Sequence, residues 1–248
     1  MSLPPLKSRP QKRLQARPST RPEILPYGDG AFLVQFQTQH YDPNVTDRIE
    51  TLKVALQKSN DWVEIVTGYN ALLVSFNPQN ISPDTAVKHL ENTLRTPKKP
   101  LKTGRVIDVP VCYGGHFGPD IDAISQSSGL STDAIIALHS QETYQVCMMG
   151  FIPGFTFLSE APKALHHPRH ATPRLSVPAG SVGLAGWQTG IYGLESPGGW
   201  QIIGRTPSRI FDSTRAEPFL IKSGDSVKFT PVSEADYLKL DNEAIASC

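Results

Sequence analysis

Between residues 150 and 231 no long helix can form. Eleven of the 19 glycines and nine of the 22 prolines fall there, interleaved with short apolar runs. Proline removes a backbone donor and glycine raises the entropy cost of any regular element, so each breaks a helix within a turn or two. Many short strands joined by tight turns satisfy such a pattern, and they predict a closed or nearly closed β-barrel.

The first hundred residues follow another rule. Ala31 to Phe36 reads as a strand after the Gly28-Asp29-Gly30 turn, and Asp42-Pro43 supplies an N-cap and a first-turn proline. Val45, Ile49, Leu52 and Leu56 then recur at helical spacing. Two strand-like runs, Trp62 to Val66 and Ala71 to Phe76, flank a Gly-Tyr-Asn turn, and Ser82-Pro83 opens a second helix striped by Val87, Leu90 and Leu94. The order β-α-β-β-α predicts a small sandwich, one sheet covered on one face by two helices. Thr96 to Pro100 is charged and cannot continue a helix, so the domains divide near it. A strand at Val106 to Cys112, a short helix with Ile121 and Ile124, and a helix capped by Ser131 and ending near His139 lead into the glycine-rich part.

The expected fold class is therefore α+β. Its divisions are a basic tail at 1–24, an α/β domain at 25–96, a linker at 97–104, the barrel at 105–235 and a C-terminal tail at 236–248.

Charge is unevenly distributed. Residues 1–22 carry Lys7, Arg9, Lys12, Arg13, Arg17 and Arg21 with five prolines and no acidic residue, which leaves 18 basic against 23 acidic side chains elsewhere, a body of about −5. A proline-rich basic segment without aromatic residues cannot offset its ordering entropy and reads as disordered; targeting or an anionic partner are its alternative uses. A mildly acidic body argues against nucleic-acid binding. No apolar run approaches the ~20 residues of a membrane span, and no secretory leader precedes the folded part, so a cytoplasmic location is expected. Cys112, Cys147 and Cys248 form no CxxC pair, and the first two lie in apolar runs as small buried hydrophobes.

Familiar catalytic strings are absent. The sequence has no GxxxxGK[ST] phosphate loop, no GxSxG elbow and no HExxH helix, and the GxxGxxG run at Gly180, Gly183 and Gly186 lacks a following helix. His166, His167 and His170 sit close together without the carboxylate support that a metal site needs, so no metal is expected. His139 has two readings, a general base or a helix-terminal histidine satisfied by carbonyls.

The densest unusual chemistry lies between Pro173 and Pro207. Arg174 and Arg205 offer bidentate charge, and Ser181, Gln188, Thr189 and Tyr192 offer orienting hydrogen bonds. Glycines such as Gly154 and Gly180 allow a ligand to approach backbone N–H groups. The same residues also make tight barrel turns, and composition alone leaves both readings standing.

The strings YGGHFGPDI (113–121), MGFIPGFTFL (149–158), TPRLSVPAGSVGLAGWQTGIY (172–192), SPGGWQIIGRTP (196–207) and GDSVKF (224–229) resemble the KipI family. That family includes the PxpB subunit of bacterial 5-oxoprolinase and proteins labelled allophanate hydrolase subunit 1. The resemblance implies an N-terminal α/β domain followed by a cyclophilin-like β-barrel. Two positions depart from its pattern: His116 stands where Glu is usual, exchanging an anion for a titratable base, and Gly193 where Pro is usual, loosening a turn.

The resemblance implies three jobs. The first, and favoured, is a subunit that opens the 5-oxoproline lactam to glutamate. ATP cleavage would drive that step by phosphorylating the lactam oxygen, and PxpC/KipA-like and PxpA-like subunits would take part. The second is inhibition of a sensor histidine kinase. The third is a biotin-dependent carboxyltransferase module. For the first job the expected catalytic residues are His139 and Arg205, with Gly154, Arg174, Gly180, Ser181, Gln188, Thr189 and Tyr192 around the substrate in one pocket shared with a partner chain.

Overall fold

A computed structural model describes residues 22–38, 41–95 and 104–246. The basic segment up to residue 21 and the connection at 96–103 lie outside those residues.

The N-terminal domain runs β1 (Glu23–Pro26), β2 (Ala31–Gln35), α1 (Pro43–Leu56), β3 (Trp62–Thr67), β4 (Ala71–Phe76) and α2 (Pro83–Arg95). Its antiparallel sheet has the order β1-β2-β4-β3. Period-two alternation puts Phe32 and Val34 of β2 on the same face as Leu72, Val74 and Phe76 of β4. There they pack against Val45, Ile49, Leu52 and Leu56 of α1 and Leu90 of α2. Each such side chain taken from water contributes about 1.5–3 kcal/mol before the entropy cost. Asp42 caps α1 as its sequence demands, accepting a 2.9 Å bond from the Asn44 N–H. Strand β1 is an addition to the expected order. Its first two residues fall within the stretch read as tail, because a four-residue run ending in proline has no period to recognise.

The second domain comprises β5 (Val106–Tyr113), α3 (Ile121–Ser128), α4 (Thr132–Gln141), β6 (Thr143–Met149), β7 (Thr156–Glu160), β8 (Arg174–Val177), β9 (Ser181–Ala185), β10 (Gln188–Ile191), β11 (Ser196–Gly198), β12 (Gln201–Arg205), β13 (Ser226–Pro231) and α5 (Glu234–Ala246). Seven strands close a barrel in the order β10-β7-β6-β13-β5-β12-β9, while β8 and β11 form a separate ribbon. Within the barrel β13 and β5 run parallel. Val109, Val111, Val146, Leu158, Val182, Leu184, Ile203, Val227 and Phe229 belong to one continuous core with Ile124 and Ile135 of the two helices.

Outside that core, Trp200, Tyr192, Phe155 and Ile202 pack with Val177 of the ribbon. Gly183 and Gly190 face each other across β9 and β10, and a Cβ on Gly190 would stand 3.0 Å from the Trp200 ring. The indole thus occupies space that a side chain on Gly190 would need, while a Cβ on Gly183 would press on Gln201 O, Ile202 Cδ1 and Trp200 Cβ at 3.2 Å, which is the packing reason for glycine inside these strands.

The C-terminal residues read as a tail are helical instead: α5 extends to Ala246. The signal was local, since Ser233 is an N-cap, its Oγ accepting from the Asp236 N–H at 3.1 Å and donating to Asp236 Oδ2 at 2.6 Å. The two domains meet where Tyr41 Oη donates to Gln145 Oε1, Gln145 Nε2 donates to Asp47 at 3.1 Å, and the Tyr69 and Trp187 rings lie 4.7 Å apart. Cys112 and Cys147 are buried free thiols, and burial pushes Cys147 up to about 12.

No helix among the described residues is long and apolar enough to cross a membrane. Nor do any three of their His, Cys, Asp or Glu side chains form a group able to hold a metal ion.

Candidate functional site

An open cleft of about 380 Å³ lies between the barrel and α5. The turn at Ala179 and Gly180, the pair Gly193 and Leu194, the segment from Thr206 to Ser213, and Tyr237 and Asp241 of α5 line it. Gly180 holds φ +78°, a left-handed conformation natural to glycine, and its turn is stitched on both sides. Its N–H donates to Tyr192 O at 2.8 Å, and its carbonyl accepts from the Thr206 N–H at 2.9 Å.

Arg205 borders this cleft. It ends β12 opposite Ser181, and its stem passes Gly180 so closely that a Cβ there would lie 3.5 Å from Arg205 Cγ. The guanidinium sits over the Phe117 ring, 5.1 Å from its centroid. Phe117 in turn touches Tyr237 at 4.4 Å and His116 at 3.8 Å between centroids. Among the described residues no carboxylate pairs with Arg205. The result is a half-buried cation on an aromatic platform, held in place and open to an anion.

Arg174 is placed differently. Its guanidinium forks onto Asp120 at 2.9 and 2.5 Å and also lies 2.9 Å from His170 Nε2. Asp120 is nearly buried and takes a third bond, 2.6 Å, from the Ile202 N–H. Burial pushes this carboxyl upward, but the bonds from Arg174, Ile202 and His170 outweigh it and hold it below the usual carboxylate range. The charge of Arg174 is thereby spent in tying the β8–β11 ribbon to β12 and the start of α3.

His139 is completely buried within the barrel core. Its Nδ1 lies 2.8 Å from Tyr113 Oη and its Nε2 2.8 Å from Thr189 Oγ1, and its ring stacks on Phe229 at 4.6 Å. Thr189 donates its hydroxyl proton to Gly183 O at 3.1 Å, so Nε2 carries the imidazole proton and Nδ1 accepts from Tyr113. Burial pushes His139 down to about 3. Both nitrogens are engaged, and the ring lines neither this cleft nor the neighbouring cavity at 149–154.

The remaining expected residues divide. Gly180 lines the cleft, and Arg205 packs beside it next to the lining residue Thr206 without lining the cleft itself. Gly154 lines the neighbouring cavity, and a Cβ on it would stand 2.6 Å from Phe211 Cβ, whose residue lines the cleft. Ser181 and Thr189 are buried in β9 and β10, Tyr192 is buried just past the end of β10, and Gln188 opens β10 beside Glu160. The Tyr192 hydroxyl accepts from the Trp200 backbone and points toward Gly198 rather than into the cleft. The single pocket holding both arginines does not form.

Phe117, Asp120 and Tyr237 were missed. Phe117 and Asp120 lie inside the 113–121 string, Phe117 between Gly115 and Gly118 and Asp120 after Gly118-Pro119 at the start of a helix. Tyr237 follows the Ser233/Asp236 cap that announces α5.

Residues 22–221 match the family model for the carboxyltransferase domain, subdomain C and D. The chain is 36% identical to the B subunit of 5-oxoprolinase from Bacillus subtilis over 88% of its own length and 96% of that protein. It is 43% identical to the corresponding 5-oxoprolinase protein of Escherichia coli O157:H7 over 75% of this chain and 86% of that one. The solved structure of TTHA0988 superposes with a TM-score of 0.72 at 34% identity, covering 82% of this chain and 40% of the TTHA0988 chain. The chain therefore spans well under half of that solved polypeptide.

Proposed function

Because this chain belongs to the carboxyltransferase-domain family, subdomain C and D, alongside the B subunit of 5-oxoprolinase, we propose that it is one subunit of an ATP-dependent 5-oxoprolinase. In this reading it opens the lactam of 5-oxo-L-proline to L-glutamate together with a PxpC/KipA-like and a PxpA-like subunit. The observation that carries the reading is the match over 96% of the Bacillus subtilis protein, so the likeness is not confined to one motif.

The geometry supports a division of labour. Lactam opening passes through states in which negative charge grows on the carbonyl oxygen or on a phosphorylated form of it, and the substrate itself carries a carboxylate. A fixed guanidinium beside a cleft meets such charge with two parallel N–H donors. Arg205 is that group: it is seated on Phe117, packed against Gly180 and unpaired with any described carboxylate. The sequence has no phosphate loop, so ATP is assigned to the shared face or to a partner chain, and this subunit contributes the anion-receptive wall.

The test is reconstitution with the partner subunits and measurement of 5-oxoproline-dependent ATP hydrolysis. Wild type should turn over lactam only in the complete assembly, and Arg205→Ala should lower kcat/KM about 100-fold, the scale of one lost charge-assisted contact. An assembly that never turns over lactam, while the isolated chain blocks autophosphorylation of a histidine kinase, replaces this reading with the inhibitor one.

A further inference from the structure

Helix α5 walls one side of the cleft, and it brings two polar side chains there. Tyr237 and Asp241 stand one helical turn apart, which puts them on the same face of the helix, and both line the cleft. Tyr237 is only 7% exposed, with its ring packed on Phe117 at 4.4 Å. Its hydroxyl has no hydrogen-bond partner among the described residues. Burial pushes that hydroxyl above its ordinary value, while Arg205 draws it down and Asp241 pushes it up, so it lies within electrostatic reach of both charges. A nearly buried hydroxyl without a partner calls for one from outside the chain.

The other acid of the cleft is already matched. Asp212 accepts from the Thr214 N–H at 3.0 Å and lies 3.6 Å from Arg209 and 3.3 Å from Arg215. Asp241 differs: it is half-buried in the cleft wall, and no Lys, Arg or His among the described residues pairs with it. The wall therefore offers an acceptor for positive charge beside a hydroxyl donor, and Arg205 raises the potential at that donor. An ammonium and a carboxylate carried on one carbon satisfy both groups at once.

Resting on the 5-oxoprolinase reading above, we propose that this cleft binds an α-amino acid as its zwitterion, with Asp241 taking the ammonium and Tyr237 donating to the carboxylate. The ring-opened product, not the lactam, is the form selected. Addition of one water breaks the lactam C–N bond, leaves a new carboxylate and turns the neutral nitrogen into an ammonium. A lactam N–H gives Asp241 one bond and leaves its charge uncancelled, whereas an ammonium brings three donors and the opposite charge. The cleft, at about 380 Å³, lies at the small end of ligand sites, which suits a ligand of this size.

The experiment titrates the full chain with L-glutamate, with glutarate, which lacks the amine, and with 5-oxo-L-proline, and reads affinity by calorimetry. L-glutamate should bind at least tenfold more tightly than either of the others, the scale of one charge-assisted contact. Asp241→Asn should abolish that preference, and Tyr237→Phe, which keeps the ring on Phe117, should weaken glutamate several-fold. Leu238→Ser, at a residue 52% exposed on the same helix, should leave binding unchanged. Equal affinity for glutamate and glutarate, undiminished glutamate binding by Asp241→Asn, or no glutamate binding at all overturns the site. The 5-oxoprolinase reading survives each of those results, because lactam turnover by the reconstituted assembly tests it separately. Equal loss in Asp241→Asn and Leu238→Ser assigns the effect to the helix as a whole and also overturns the site. An assembly that opens no lactam removes the reading, while a glutamate preference that Asp241→Asn abolishes still supports the site.

Discussion

Asp120 grips the Arg174 guanidinium with both carboxylate oxygens, at 2.5 and 2.9 Å, and in the same place accepts the Ile202 N–H at 2.6 Å. One side chain thus joins the start of α3, the barrel strand β12 and the outer ribbon. Removing it strands a partly buried guanidinium and a backbone donor, whereas removing Arg174 leaves Asp120 with Ile202 and His170. Asp120→Ala should therefore cost about 3 kcal/mol and Arg174→Ala clearly less. Urea melts of both variants and the double variant measure the coupling.

The same carboxylate sets an acid limit. Its folded value is depressed, so the stability it contributes is fully present above the unfolded aspartate value near about 4. That contribution is lost as pH falls through the lower folded value. Asp120→Asn should be less stable than wild type at pH 7, and the gap should close as pH drops below about 4. Melts from pH 3 to 7 check it.

Arg205 is a different kind of arginine, and the contrast predicts a different response. Its fork is unspent and its seat is the Phe117 ring. Arg205→Lys keeps the charge but loses the planar pair of donors and much of the stacking. Activity of the reconstituted assembly should fall at least tenfold, with the melting temperature of the isolated subunit changed by no more than a degree or so. Steady-state kinetics alongside calorimetry separates the two effects.

Much of this molecule was legible in its sequence, and the reasons are specific. Phe32, Val34, Leu72 and Val74 alternate cleanly, Val45, Ile49, Leu52 and Leu56 recur at helical spacing, and Asp42-Pro43 and Ser131 cap as their chemistry requires. The barrel followed from glycine and proline density because tight turns and the Trp200 contact both need those residues. The site was less legible. Arg174 and Arg205 look alike in sequence, but only the fold brings Asp120, 54 residues away, onto the first and leaves the second on Phe117. Thr189 on β10 and Tyr192 just past its end offer hydroxyls that the fold buries, and Tyr237 reaches the cleft from a helix that follows the glycine-rich part.

His139 should make the fold acid-sensitive well above the carboxylate range. Its folded value, about 3, lies below the ordinary imidazole value of 6.5 because burial disfavours the cation. The unfolded chain then binds the proton first, and stability drops as pH falls below 6.5, by up to about 1.4 kcal/mol per pH unit. His139→Gln keeps a donor and an acceptor for Thr189 and Tyr113, so it should lower stability at pH 7 but flatten the slope between pH 6.5 and 4. A wild-type profile that is flat over that interval would contradict the buried neutral ring.

Gly193 offers the sharpest packing test, because its surroundings are backbone. A Cβ there would stand 2.5 Å from both Pro153 O and the Gly154 carbonyl carbon, and neither can swing aside as a side chain would. Gly193→Ala should thus cost about 1–3 kcal/mol by overpacking. Gly154→Ala forces a Cβ 2.6 Å from Phe211 at φ +77° and should be at least as damaging. That Cβ would also lie 3.2 Å from Gly193 Cα, so the two changes share one contact and the double variant should lose less than the sum of the single losses. Calorimetry of all three variants decides it, and full additivity would mean that the two glycines are not one contact.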